Sequence, residues 1–120
     1  MVTKDCKKWD ANEKLQICRY KTGGGIMDVV PNYKNDFATV IRFFVPEKER
    51  GRGIGGKLID SIKKDSKKIH AQASRLNSAS LFYKKGFRPD NFPNASLSET
   101  KELFNKSSSG SMGMVIGGEF

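Results

Sequence analysis

The sequence predicts a mixed α/β (α+β) layer, and three observations carry that prediction. Residues 37–45, Phe-Ala-Thr-Val-Ile-Arg-Phe-Phe-Val, are β-branched and aromatic, as a central strand is. Apolar residues at helical spacing take over after Gly53. The elements then run as strands, helix, strand, helix and a late strand, which fits helices packed on a mixed sheet. With 120 residues and 37% hydrophobic side chains there is material for one core, so 1–120 is expected to form a single domain.

Residues 15–20, Leu-Gln-Ile-Cys-Arg-Tyr, alternate apolar and polar side chains like a half-buried strand. Gly23, Gly24 and Gly25 supply a turn, and residues 26–30 return as a second strand. Only that turn separates these two strands, unless residues 3–14 form a displaced helix. Residues 31–36 read as another turn before the strand at 37–45, whose unbroken run suits cover on both faces, and Pro46 ends it. Ile54, Leu58, Ile59, Ile62 and Ile69 define one apolar helical stripe, with Lys57, Asp60, Lys63, Lys64, Lys67 and Lys68 opposite. Four lysines late in the helix suit its negative dipole end, so they read as a solvated face first and a binding patch second. Residues 69–74 are a short strand, and 76–85 a second helix stopped by Gly86. Ser96-Leu97-Ser98-Glu99 has the capping-box pattern and starts a short helix to about Asn105. Residues 107–111 have a flexible composition, and 112–116 form a closing strand.

Composition narrows the function classes. Charged residues make up 29%, mean hydropathy is −0.56, and no apolar run approaches a membrane span of about 18 residues. No charged-then-apolar leader opens the chain, so neither a membrane protein nor a secreted precursor is expected. Cys6 and Cys18 are too few for a disulfide framework, and His70 is the only histidine, so no zinc site and no other metal site is expected. Reduced cysteines in a cytoplasmic protein are the expectation. The net charge of +9, with a pI near 9.7, favours an anionic partner: phosphate, nucleic acid or an acidic protein surface.

The most informative segment is Arg50-Gly51-Arg52-Gly53-Ile54-Gly55-Gly56, between the best strand and the best helix. Its glycines allow a tight turn with unshielded N–H groups, and the helix start and two arginines add positive charge. Such a loop suits a pyrophosphate. It is no P-loop, because no Gly-Lys-Ser/Thr follows at the required spacing. Gly51, Gly53 and Gly56 match a dinucleotide fingerprint, but residues 74–77, Ser-Arg-Leu-Asn, lack the acidic ribose partner.

The segment resembles the pyrophosphate loop of the GNAT N-acetyltransferases, Arg/Gln-x-x-Gly-x-Gly/Ala, here Arg50-x-x-Gly53-x-Gly55. A second family mark is a helix ending in Tyr-x-x-x-Gly-Phe, which here reads Leu81-Phe82-Tyr83-Lys84-Lys85-Gly86-Phe87. The two marks span residues 37–89. The resemblance implies a central, mostly antiparallel mixed sheet with a splayed parallel strand pair and flanking helices. It implies acetyl-CoA as cosubstrate in the splay, with Phe43, Phe44 and Val45 offering backbone to the pantetheine arm. Arg50, Gly51, Arg52, Gly53, Ile54 and Gly55 would hold the pyrophosphate. The implied reaction is direct attack by a primary amine on the thioester, with no covalent enzyme intermediate.

Two proton transfers go with that reaction. The resemblance assigns the acid to a tyrosine on the second helix, but the usual slot, four residues before the glycine, holds Phe82, and Tyr83 lies three before it. Tyr83 is the candidate acid; its alternative is a packing residue with a solvated hydroxyl. Asn77 resembles the family asparagine that contacts CoA, or else it caps the helix. For the base, Glu47 and Glu49 follow the strand but can simply offset Arg50 and Arg52, Asp36 begins it, Asp28 lies on the strand before and His70 on the strand after, and the sequence names none of them. Histidine alone titrates near neutrality by type, although a lone one is more often structural.

The family's helices after the first strand, which wall the acceptor site, have no counterpart here, so that site is reduced or completed by a second copy in a homodimer. An acetyl-CoA-dependent N-acetyltransferase acting on an amine-bearing small molecule, protein or peptide is the leading reading. A degenerate acyl-CoA-binding or interaction module is the second. An enzyme acting on RNA is third, because no interleaved basic and aromatic stripe accompanies the charge.

Overall fold

The computed structural model describes residues 1–9, 12–32 and 37–117. Its strands are β1 (Thr3–Trp9), β2 (Asn12–Thr22), β3 (Gly25–Asn32), β4 (Phe37–Phe44), β5 (Lys68–Ala73), β6 (Arg88–Pro89) and β7 (Met112–Ile116). The helices are α1 (Ile54–Asp65), α2 (Leu76–Lys84) and α3 (Leu97–Lys106), with a 3-10 turn at Glu47–Glu49. The strands form one sheet in the order β1-β2-β3-β4-β5-β7-β6. Among the described residues only β4 and β5 pair in parallel; every other neighbour is antiparallel. This is the mixed, mostly antiparallel sheet with one parallel pair that the resemblance implies.

The helices pack on one face. Leu58, Ile59 and Ile62 of α1 and Ala79 and Phe82 of α2 are buried against Tyr20, Met27, Val29, Ala38, Val40, Ile69 and Ala71. Each large apolar side chain so buried contributes about 1.5–3 kcal/mol before entropy is counted. Phe82 lies 5.4 Å from Phe43 and 5.0 Å from Phe87, ring centroid to centroid, which ties α2 to β4 and to the chain entering β6. The α3 helix lies along α2, and its start is the expected capping box: Ser96 and Glu99 exchange two hydrogen bonds of 3.1 Å.

Two features of the sheet position everything that follows. The β3–β4 ladder slips between Asp28 and Val29, so Val29 pairs with Val40 but Asp28 with Arg42, leaving Ile41 as an extra residue on β4. Such a bulge bends the strand and reverses its alternation. Val40 and Phe43 therefore both face the helices. The parallel β4–β5 ladder ends at Val40 and Ala71, while β4 continues to Phe44. From that point the two strands part, as expected for a splayed pair.

Several expectations need correction. Residues 3–9 are strand β1, not a displaced helix; it is an exposed edge held by its ladder to β2. That register sets Cys6 opposite Cys18, with Cα atoms 4.0 Å apart, and the two form a disulfide, so the expected reduced thiols are absent. The strand at 37–45 is not covered on both faces. Ile41 and Phe44 are each 44% exposed, because the bulge turns them away from the helices. Pro31 and Asn32 belong to β3, and the rest of the expected turn lies outside the described residues. Among the described residues no helix is long and apolar enough to cross a membrane.

Candidate active site

The site grows from the end of the fork. After β4, Pro46 and the 3-10 turn carry the chain to Arg50, whose Nε donates to the Val45 carbonyl at 3.1 Å. Glu49 accepts from the Gly24 N–H at 2.9 Å, pinning the β2–β3 turn beside the loop. Gly51 and Gly53 then take φ of +85° and +77°, a left-handed backbone that costs other residues roughly 1–2 kcal/mol. Nothing lies within 4 Å of where their Cβ atoms would be, so both face open space.

Gly53 is the N-cap of α1 and offers no side chain to the helix start. The first N–H groups of a helix lack partners within it, so α1 presents them, with its positive dipole end, to the space beside the loop. Gly55 serves packing: a Cβ there would stand 2.9 Å from Leu81 Cδ2 and 3.0 Å from Phe43 Cζ. Its absence lets α1 begin close against β4 and α2.

These elements enclose a cleft of about 570 Å³. From β4 and its end come Arg42, Phe43, Phe44 and Val45; from the loop Arg50, Gly51, Gly53, Ile54 and Gly55. The start of α2 adds Asn77. The structure thus brings together every residue singled out for a cofactor except Arg52, which is exposed and stands off the cleft lining. Asn77 is not a cap, because the N-cap of α2 is Arg75, with no side-chain bond. Ser74, Arg75, Ser78 and Leu81 also line the cleft and were missed. Their helical spacing with Asn77 was the available signal.

Tyr83 is placed elsewhere. Its half-buried ring lies under the Arg88 guanidinium, 3.8 Å from centroid to Cζ, and it does not line the cleft. Phe82 fills the slot four residues before Gly86 and is fully buried. The candidate bases separate too. Asp28 is buried and holds Arg19 through two bonds of 2.7 and 2.9 Å, which raise the arginine above its ordinary value. Glu49 lines the cleft and bonds the Gly24 N–H, Glu47 is exposed in the 3-10 turn, and Asp36 lies outside the described residues. His70 sits on β5 with its Nε2 3.3 Å from Asp90 Oδ2.

The lining of the cleft suits a ligand with both phosphate and apolar parts. It combines unshielded N–H groups and arginines with the aromatic and aliphatic walls of Phe43, Phe44 and Leu81. The lysine face is partly committed, since Lys63 Nζ donates to the Lys85 carbonyl at 2.7 Å at the end of α2.

Comparison with known proteins agrees with this architecture. The family model described as "Acetyltransferase (GNAT) domain" matches residues 11–89. An IAA acetyltransferase from Bacillus cereus ATCC 14579 superposes with a TM-score of 0.59 at 16% identity, over 97% of this chain and 99% of that one. A GNAT-family acetyltransferase from Staphylococcus aureus MU50 gives 0.55 at 16% identity, over 85% and 66%. The N-acetylglutamate synthase of Neisseria gonorrhoeae, solved with coenzyme A and N-acetyl-glutamate, gives 0.53 at 15% identity, over 87% and 25%. No curated protein matches the sequence.

Proposed function

Because the chain belongs to the GNAT acetyltransferase family, we propose that it is an acetyl-CoA-dependent N-acetyltransferase acting on a primary amine. The observation that supports this best is the cleft itself: the fork between β4 and β5 opens into a glycine loop and a helix N-terminus. When bound, acetyl-CoA would supply the acetyl group as a thioester, which an amine can attack directly. The N–H groups at residues 51–55, with Arg50 and Arg52, would hold the pyrophosphate, and the backbone of Phe43, Phe44 and Val45 would align the pantetheine arm. Asn77 would steady that arm from α2. The acceptor would be an amine-bearing small molecule, protein or peptide, and a second copy of the chain would supply any missing acceptor wall.

Calorimetry with acetyl-CoA, followed by thiol release with a panel of primary amines, tests the proposal. Binding with amine-dependent thiol release is expected; absence of binding refutes it. A second reading, a module that binds acyl-CoA without turnover, is favoured by the buried Phe82 in the tyrosine slot and by Tyr83 lying off the cleft. Binding without thiol release for any amine would select it.

A further inference from the structure

Three charged side chains stand in a row across β2, β3 and β4. Arg19 pairs with Asp28, and Asp28 with Arg42, in the two antiparallel ladders, so the three lie side by side on one face of the sheet. That face is the one away from α1 and α2. Tyr20 flanks Arg19, Met27 and Val29 flank Asp28, and Phe43 follows Arg42, and these four pack in or against the core beneath the helices.

The row is not symmetric. Both oxygens of Asp28 are taken by Arg19, at 2.7 and 2.9 Å, and the carboxylate is buried. Arg42 is exposed, and among the described residues it has no hydrogen bond or ion pair. Its cross-strand carboxylate is already neutralised by Arg19, so the row keeps one net positive charge, at the end that lines the cleft. Within the described residues the fold makes no use of that charge.

Arg42 also stands away from the phosphate end. Arg50 marks that end, where its Nε reaches the Val45 carbonyl. Arg42 is three residues back from Val45, about 10 Å in extended chain, and two residues past Val40, where the β4–β5 ladder ends. An acyl-CoA with its pyrophosphate at residues 50–55 and its arm along residues 43–45 would carry its thioester toward Arg42, at the closed end of the fork. Phe44 is exposed on the same face and lines the same cleft.

We propose that the acceptor is an amine that also carries an anionic oxygen group, a carboxylate or a phosphate, and that Arg42 is the residue that selects it. This rests on the acetyltransferase reading above and names the substrate class for that same cleft. A guanidinium presents a planar fork of N–H donors that meets either group with two parallel bonds. Phe44 offers an apolar wall to a short spacer between acid and amine. In the transfer, the amine nitrogen bonds the thioester carbon while the carbon–sulfur bond breaks. Sulfur leaves with the electron pair, and the nitrogen gives its proton to solvent. Arg42 takes no part in those changes and only anchors the acceptor.

The test compares matched acceptors in wild type, R42Q and R42K. Propylamine and β-alanine differ by a methyl against a carboxylate, and phosphoethanolamine carries a phosphate instead. The readouts are kcat/KM for thiol release with each amine, calorimetric affinity for acetyl-CoA, and calorimetric affinity of the CoA-loaded protein for the N-acetyl products. Wild type should prefer at least one acid over propylamine, and which one it prefers separates carboxylate from phosphate. R42Q should lower that preference about 10–100-fold, chiefly through KM, as the loss of charge-assisted bonds implies. R42K, which keeps the charge but not the fork, should fall between. The acidic product should bind wild type more tightly than the neutral one and lose that advantage in R42Q. Each preference is a ratio within one protein, so amine basicity and any general loss of fold cancel in the comparison. Should no amine release thiol, the product affinities decide alone. No preference for an acid, in rate or in product affinity, overturns the proposal. An acid preference that R42Q leaves unchanged also overturns it, and with weakened acetyl-CoA binding that outcome gives Arg42 to the cofactor's phosphates. Failure of the wild type to bind acetyl-CoA overturns instead the reading on which the proposal rests.

Discussion

Gly53→Val separates what the phosphate loop does for binding from what it costs in stability. Gly53 has φ +77°, where a residue with a side chain pays roughly 1–2 kcal/mol. Gly110 has φ +72°, and like Gly53 it has nothing within 4 Å of its Cβ position, so Gly110→Val carries a matched strain away from the cleft. At about 4 °C per kcal/mol for a domain near this size, each variant should melt roughly 4–8 °C lower than wild type. The ligand response should then divide them. Acetyl-CoA at 100 times Kd stabilises its protein by about 2.7 kcal/mol, roughly a 10 °C rise. Gly110→Val should keep that rise. Gly53→Val places a branched side chain in the open space before α1 and disturbs N–H groups whose bonds to a charged ligand are worth about 1.5–3 kcal/mol each. Losing two weakens binding by more than about 100-fold, so the rise disappears at the same ligand concentration. Thermal melts with and without acetyl-CoA, checked by calorimetry, read both effects. Wild-type affinity in a Gly53→Val protein that melts like Gly110→Val would refute the assignment of this loop to the pyrophosphate.

Tyr83→Phe should leave amine-dependent thiol release within about twofold of wild type, because the ring lies under Arg88 off the cleft; a loss of about 10²-fold would identify the phenol as the acid. The Asp65 carboxyl is held below its ordinary range, first by the Tyr20 hydroxyl at 2.6 Å and then by Lys4 at 3.2 Å. Its folded value is therefore below its unfolded one, so this contribution is complete above the unfolded value and fades as pH falls through the folded one. The Tm gap between wild type and Asp65→Asn should accordingly close on acidification, and a gap constant with pH would be the contrary result. Ser96→Ala should cost about 1 kcal/mol by opening the capping box, measured by urea unfolding, and no change would mean the α3 start is held by its packing alone. Changing Lys63, Lys64, Lys67 and Lys68 to Gln should leave acetyl-CoA affinity intact, since Lys63 and Lys64 lie in the last turn of α1, about 15 Å from Gly53 at helical rise, Lys67 and Lys68 follow the helix end, and none of the four lines the cleft. A lysine-dependent salt slope for tRNA binding would instead revive the RNA reading.

What was legible in the sequence was what local chemistry decides. The loop at residues 50–56 could be read because glycine demand, arginine charge, a preceding strand and a following helix all lie within one short stretch. The capping box at Ser96 and the closing strand at Met112–Ile116 were legible for the same reason. Strand β1 was hidden because its side chains are exposed on an edge and leave no apolar period to count. With β1 hidden, Cys6 had no visible partner, and the disulfide could not be inferred. The bulge at Ile41 was hidden for the opposite reason: residues 37–45 are apolar nearly throughout, and a run without alternation cannot show where alternation reverses.

The same distinction accounts for the pairing of His70 with Asp90. His70 and Asp90 are 20 residues apart, and they meet only because β7 enters the sheet between β5 and β6. The residue that allows the meeting is Gly113, whose contribution is a missing side chain, and a glycine in a strand announces no ligand or partner by itself. Phosphate binding draws on contiguous backbone and is written along the chain. A side-chain pair between separate strands is not, because its meeting depends on register. The Asp90–His70 distance follows the β5–β7 register set by His70 opposite Val115 and Gln72 opposite Gly113. A one-residue slip would turn Gly113 to the helix face and leave the carboxylate over a side chain. The His70–Asp90 pair thus depends on an antiparallel ladder that the glycine loop at residues 51–55 does not belong to.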